Sequence, residues 1–547
     1  MKQSILDFYE NIGKKKWYWI PLILLAVGAF GYSLTCRTVS IDDLRVQYYY
    51  SSEYYMISGG YWGEVPMKWL AGCLTYAPFF TKFTTVLFLL LDGFLLGAVL
   101  YRLNGGRKNV FSYMILSAGL LTFPLISEMW EYYGAVLTDA MALVVSLLTV
   151  LYYETEKRPR KYLWACAAMA FVVSASLLSF FIFISLVMML LFYKYAAEPR
   201  ENHPRWKWVL EGLGYAVPLM VGLGIRFLLQ VVLQKIFNAP YAPASDVWIE
   251  EGLQALVKTI LYNGYSYAVK GLVYFPIAVF DLAGLCLLIL ACRQCGRMKS
   301  PVPLLIWAPM LVSLFAQSLI QRHVLPYRHT FAISILVGFT MFLLAEQAEK
   351  SKKTWLRRAV AAVLLLICWN QASALNQMFA LNNLRSDNEL ALVRSLGYTL
   401  TTEYERKPVA FVGVPPDDCH WAADQVTADP HALGSRILIG AANMAGKLLP
   451  GDTQTAERLA NVADSKYTQT NLQATLDWHR RVPYMMRDLF SYCGYDIPVV
   501  EMEDQQDLYN SLWDAAEEQD MSYLEICDTG DYLIVCLGDL TRWTPDW

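Results

Sequence analysis

"KKKWYWIPLILLAVGAFGYSLTCRTVSIDDLRVQYYY", residues 14–50, decides the fold. Three lysines precede an apolar run over 17–35; the aspartate pair Asp42 and Asp43 follows it, with Arg45 and a string of tyrosines. A bilayer core of about 30 Å needs about 20 helical residues to cross, so the run is long enough to span. It lacks the small-residue cleavage site of a removable signal peptide and reads as a retained anchor.

Comparable apolar stretches recur at 83–102, 111–127, 136–153, 162–177, 179–195, 209–234, 271–292, 302–320, 330–345 and 359–375. The chain is therefore expected to be a polytopic α-helical membrane protein with about eleven spans. The split between 162–177 and 179–195 is placed at Ser174, Ser176 and Ser179, because roughly 34 residues is too long for one span.

Composition agrees. Charged residues make up 17% of the 547, against about 25% in an average soluble domain. They are unevenly spread. Residues 376–547 hold 27 acids and 12 bases, leaving 21 acids and 33 bases in residues 1–375. A basic, apolar front and an acidic, polar tail argue for two domains, 1–375 and 376–547.

Basic residues in short loops set orientation. Clusters at Lys14–Lys16, Arg102/Arg107/Lys108, Lys157–Lys161, Lys194–Lys207, Arg293–Lys299 and Lys352–Arg358 all fall on one face when eleven spans are drawn. The N-terminus is then inside and the tail outside. The first outer loop, 36–82, contains "VPMKWLAGCLTYAPFFTKF", whose aromatic and apolar residues predict a helix lying in the membrane interface. In the tail, 386–405 reads as a helix, 407–416 as a strand, and 495–500, 507–519 and 531–539 as strand, helix and strand, hence a small α/β domain.

Walker, dinucleotide and zincin motifs are missing from the sequence, and no nucleic-acid partner is expected. The candidate chemistry lies on the outward loops. Asp42 or Asp43 could serve as a general base on a substrate hydroxyl or help hold a divalent metal. Glu128 and Glu131 lie in the next outward loop beside Trp130, Tyr132 and Tyr133. Aromatic rings, including Trp62, stack on sugar faces but also populate membrane interfaces. Asp139 stands inside a span, where a carboxylate is a functional candidate by default. Arg322, His323, Arg328 and His329 crowd an outward loop. Arginine forks match phosphate oxygens, so a lipid phosphate is the expected ligand, with Lys68 and Arg45 assisting. Arg226, inside a span, is expected to meet a buried partner or to snorkel.

The stretches "SIDDLRVQYY", "GGYWGEVPMKWL" and the closing "GDYLIVCLGD", on a multi-span body, resemble the membrane glycosyltransferases of the GT-C superfamily, and within it the type II glucosyltransferases related to O-antigen serotype-conversion enzymes. Glu64 departs from the pattern, since a basic residue is expected there. The resemblance implies a donor sugar carried on a polyprenyl phosphate. Transfer would go to an acceptor glycan or cell-envelope polymer at the outer face of a bacterial cytoplasmic membrane. An aspartate of the first outer loop would be the base. Some members of the superfamily use a divalent metal (Mg or Mn) and others none, so no cofactor is fixed. The rival reading is a transporter or flippase for a lipid-linked glycan, which many spans with intramembrane charges would also suit.

Overall fold

The computed structural model describes residues 1–36, 38–39, 56–74, 77–131, 135–197, 207–238, 275–319, 330–413, 486–501, 505–538 and 540. The chain divides into two compact units. The first comprises Met1–Thr35, Ser51–Gln377 and Ala428–Ser465; the second comprises Cys36–Tyr50, Met378–Thr427 and Lys466–Trp547.

The first unit is helical. Its elements are α1 (Lys2–Phe8), α2 (Lys16–Thr35), α3 (Glu64–Leu70), α4 (Pro78–Leu103), α5 (Val110–Thr122), α6 (Ile126–Glu131), α7 (Ala135–Thr155), α8 (Arg160–Ala175), α9 (Leu177–Phe192, continued as a π turn to Ala197), α10 (Lys207–Phe237), α11 (Phe275–Met298), α12 (Val302–Ser313), α13 (Phe331–Glu349) and the first part of α14 (Thr354–Thr402). Among the described residues eight helices are long and apolar enough to cross a membrane. This is a multi-pass membrane protein.

Three of the stretches read as spans are shorter helices: α5 has 13 residues, α8 has 16 and α12 has 12. At 1.5 Å per residue, none reaches 30 Å alone. α5 ends where Phe123 turns extended ahead of Pro124, as a pre-proline residue is driven to do. α8 ends at Ser176, whose extended backbone (φ −157°, ψ 136°) breaks the chain between α8 and α9. The Ser176 hydroxyl then accepts the Leu178 N–H at 3.2 Å and caps α9. The serine cluster thus does mark the break.

α13 is the central helix, with 89% of its apolar window buried. It approaches α5 through a glycine pair. A Cβ on Gly119 would stand 2.8 Å from the Gly338 Cα, and one on Gly338 would stand 2.5 Å from the Leu116 carbonyl. Small residues permit such contact between membrane helices, where dispersion and close packing drive association. At the N-terminus, Phe8 enters an aromatic nest of Tyr18, Phe94, Tyr101 and Tyr113, with ring centroids 5.0–6.2 Å away.

α14 runs unbroken for 49 residues. The sequence reading has a span over 359–375 and a separate helix over 386–405; no glycine or proline intervenes to part them. In the second unit the sheet order is β1-β3-β2: β1 (Val409–Val412) pairs parallel with β3 (Leu533–Cys536), and β2 (Ile526–Asp528) pairs antiparallel with β3. β1 and β3 are buried along their length, and their side chains alternate between two cores. Ala410, Val412, Ile534 and Cys536 pack with Tyr509, Leu512 and Trp513 of α15 (Gln506–Glu518). Val409, Phe411, Leu533 and Val535 pack with Val393 and Leu396 of α14 and with Leu489 and Phe490. Val39 joins that second core, and its N–H donates to the Ser386 hydroxyl at 3.2 Å. The expected strand at 495–500 is reduced to a single bridge, Val409 to Val499, on the free edge of β1, while β2 forms the opposite edge against β3. Cys493, Cys527 and Cys536 are free thiols; Cys419 lies outside the described residues.

Candidate functional site

The polar centre of the first unit is assembled under residues 56–74. α3 is short, and its Glu64 and Lys68 stand one turn apart on one face. They form an ion pair at 2.7 Å with the Lys68 side chain only 3% exposed. The helix predicted to lie in the interface therefore turns a lysine inward, while Trp69 and Leu70 stay exposed. From the start of α7, Thr138 donates to the same Glu64 oxygen at 3.3 Å. The next residue, Asp139, is buried and accepts hydrogen bonds from Ser179 at 3.2 Å and from Ser176. The α8–α9 break thus supplies the hydroxyls that hold this carboxyl.

α10 brings the counter-charge. Arg226 is buried, and its Nη2 donates to the Gly60 carbonyl at 3.3 Å. One turn on, Gln230 lies so near Gly60 that a Cβ there would come within 2.6 Å of its amide; Gly60 also has φ +80°, which favours glycine. Gln234 donates to the Ser58 carbonyl at 3.2 Å. Gly63 donates its N–H to the Ser174 carbonyl at 3.1 Å, and a Cβ there would meet the Ser174 hydroxyl at 2.2 Å. Gly60 and Gly63 of "GGYWG" are therefore sites of close approach, pinned to α10 and α8.

Tyr61 lies in the field of Glu64, Asp139 and Arg226. Burial pushes its phenol up from the ordinary value; Arg226 pulls it down, while Glu64 and Asp139 push it further up. Beside it, the Trp62 indole N–H is buried with no acceptor among the described residues. The result is a desolvated cluster of two carboxylates, two cations, a phenol and an indole donor. Charges in such a setting act strongly on each other and on any polar group brought between them.

The residues predicted from the sequence divide as follows. Asp42, Asp43, Arg45, Tyr132, Arg322, His323 and Arg328 lie outside the described residues. Glu128 and Glu131 are placed on α6. Lys68 is engaged with Glu64, and Trp62 stands at the cluster. Trp130, read as a sugar-stacking ring, is 2% exposed with its face on Phe30, centroids 4.5 Å apart; it packs in the core. Among the described residues no three His, Cys, Asp or Glu side chains gather as a metal cage would require. In the sequence Asp139 and Arg226 stand as separate intramembrane charges and Glu64 as a departure from the family pattern. The signal that links them was the i, i+4 spacing of Glu64 and Lys68, and the rule that intramembrane charges of opposite sign seek one another.

The model of the family described as glucosyl transferase GtrII matches residues 31–345, more than half of the chain. The chain belongs to the glucosyl transferase GtrII family. No curated protein and no solved structure matches it. The matched span contains the whole cluster from Gly60 to Arg226. It also bears on the two readings of the multi-span body: GtrII membership makes the protein a membrane glycosyltransferase.

Proposed function

We propose that this GtrII protein has a GT-C type fold and transfers a sugar from a polyprenyl-phosphate-linked donor to an acceptor glycan or cell-envelope polymer, on the outer face of a bacterial cytoplasmic membrane. The observation that carries the reading is the buried cluster of Tyr61, Glu64, Lys68, Asp139 and Arg226 within the family-matched span. Such a desolvated, hydrogen-bonded set suits stabilisation of charge on a phosphate-bearing sugar, and the surrounding apolar helices suit a lipid carrier.

In this mechanism the acceptor hydroxyl attacks the anomeric carbon, and its proton passes to Asp42 or Asp43 as general base. The bond from that carbon to the phosphate oxygen breaks, and the lipid phosphate departs. Arg322, Arg328, Arg45 and His323 balance its charge, bidentate geometry favouring the arginines. Glu128 or Glu131 positions the acceptor; were a divalent metal, Mg or Mn, bound there, the same carboxylates would help hold it and it would offset charge on the phosphate. Trp62 receives the sugar through its ring and free indole donor.

The test is transfer of radiolabelled glucose from polyprenyl phosphate in membranes holding the full chain. We expect Asp42→Asn or Asp43→Asn to lower transfer by about 100-fold or more, the usual scale for a lost general base. Normal transfer by both variants would falsify the base assignment. Transfer from a nucleotide sugar, with none from the lipid-linked donor, would remove the donor assignment.

A further inference from the structure

A second polar site lies at the far end of α9 from the cluster. α9 and its π turn, Leu177–Ala197, comprise 21 residues, about 30 Å at 1.5 Å per residue. Ser176 and Ser179 serve the first site at one end. At the other, Ala197 lines a cavity of about 500 Å³ together with Arg293, Gln294 and Arg297 of α11, Gln347 of α13, and Lys350 and Ser351 just beyond it.

The charge in this cavity is one-sided. Three cations line it and no carboxylate does, among the described residues. Among the described residues the nearby acids are engaged elsewhere: Glu346 pairs with Arg107 at 3.4 Å and Glu349 with Arg357 at 3.2 Å. Arg293 and Arg297 are one turn apart, where like charges repel. The two arginines could be mere complements to the negative C-terminal end of α11, but that role does not require a cavity, two amides and a hydroxyl around them. Gln294 is buried, its amide donating to the Ala197 carbonyl at 3.5 Å, which ties α11 to the π turn and shapes the floor.

The approach to the cavity is apolar. Leu282, Leu285 and Ile289 are 48%, 52% and 59% exposed, and spacings of 3, 4 and 4 residues carry their stripe along α11 to Arg293. A ligand that fills both features has a hydrocarbon tail and an anionic head. Arginine forks favour phosphoryl oxygens, and basic pockets between membrane helices take phosphate headgroups. Arg293 and Arg297, two guanidinium forks one turn apart, suit a doubly charged head better than a singly charged one.

We propose that this cavity binds the headgroup of a phosphomonoester lipid, with the tail laid along Leu282, Leu285 and Ile289. It is a lipid site separate from the Glu64–Arg226 cluster, and it does not rest on the donor assigned above.

The test is native mass spectrometry of the delipidated full chain with dioleoyl phosphatidic acid or dioleoyl phosphatidylcholine. We expect phosphatidic acid to be retained at least ten-fold better. Arg293→Gln/Arg297→Gln should lower that retention about ten-fold with an unchanged unfolding midpoint. Arg160→Gln, which removes an exposed arginine paired with Glu156, should not. Equal retention of the two lipids, or equal loss in the Arg160 variant, would overturn the proposal. Displacement of the lipid by equimolar glycerol 3-phosphate would do so too, since it would mark a site for soluble phosphates.

Discussion

Lys68 shows how one side chain can set the character of a site. Its ammonium is buried and 2.7 Å from Glu64, so removing Lys68 takes the counter-charge from a carboxylate largely withdrawn from water. Breaking a buried pair in this way costs about 3–5 kcal/mol. Lys68→Met should therefore lower the thermal unfolding midpoint of the purified full chain sharply. Glu64→Gln/Lys68→Met should recover most of the loss, and a double-mutant cycle on the midpoints checks it. In the second unit, Asp528 accepts from Lys407 at 2.7 and 2.8 Å and from the Gly530 N–H at 2.8 Å, which holds its carboxyl below the ordinary range. A depressed carboxylate stabilises the fold at pH values above its unfolded pKa, and that contribution drains away as pH falls through the folded value. Acidification should therefore cost this unit stability more steeply in wild type than in Asp528→Asn, which lacks the contribution at neutral pH and shows a flatter acid limb. Tryptophan fluorescence against pH, in low salt, reads the difference, because an exposed pair is screened by ions.

Helices and strands were largely legible from hydropathy period, but their ends were set by local events. Ser176 and Pro124 cut two stretches short of spanning length, while the sequence between 376 and 385 offered nothing to stop α14. The α5–α13 contact was not legible. Gly119 and Gly338 are 219 positions apart in the sequence, and a lone glycine in an apolar run does not name its partner. Gly338→Leu would force apart two backbones now in contact. Overpacking usually costs about 1–3 kcal/mol, and a rigid backbone neighbour puts this site at the upper end. The expected result is a lower midpoint with bound lipid unchanged. In the sheet unit, the Trp513 ring is 1% exposed, and its indole N–H reaches the Leu540 carbonyl at 3.3 Å. Trp513→Ala should cost about 3–5 kcal/mol, read as early loss of fluorescence from the second unit while the helical signal persists.

For the whole molecule, class and family were legible in the sequence, whereas the assembly of the buried cluster was not. Tyr61, Asp139 and Arg226 come from three separated segments, and only folding shows that they share one field. Glu64 looked like a misfit because the family pattern expects a basic residue at that position, whereas here the cation stands one helical turn on, at Lys68. The two-unit division has a consequence for manufacture. Val39 leaves the ribosome early, yet the hydroxyl that accepts its N–H belongs to Ser386, 347 positions later. At about 5–20 residues per second of synthesis, the segment after α2 must wait roughly 17–70 s for its partner. Throughout that interval it is exposed to chaperones, proteases and premature pairing. A chain terminated at residue 377 would never end the wait. Its residues 36–39 should be cut readily by a protease that leaves the full-length protein intact at that point.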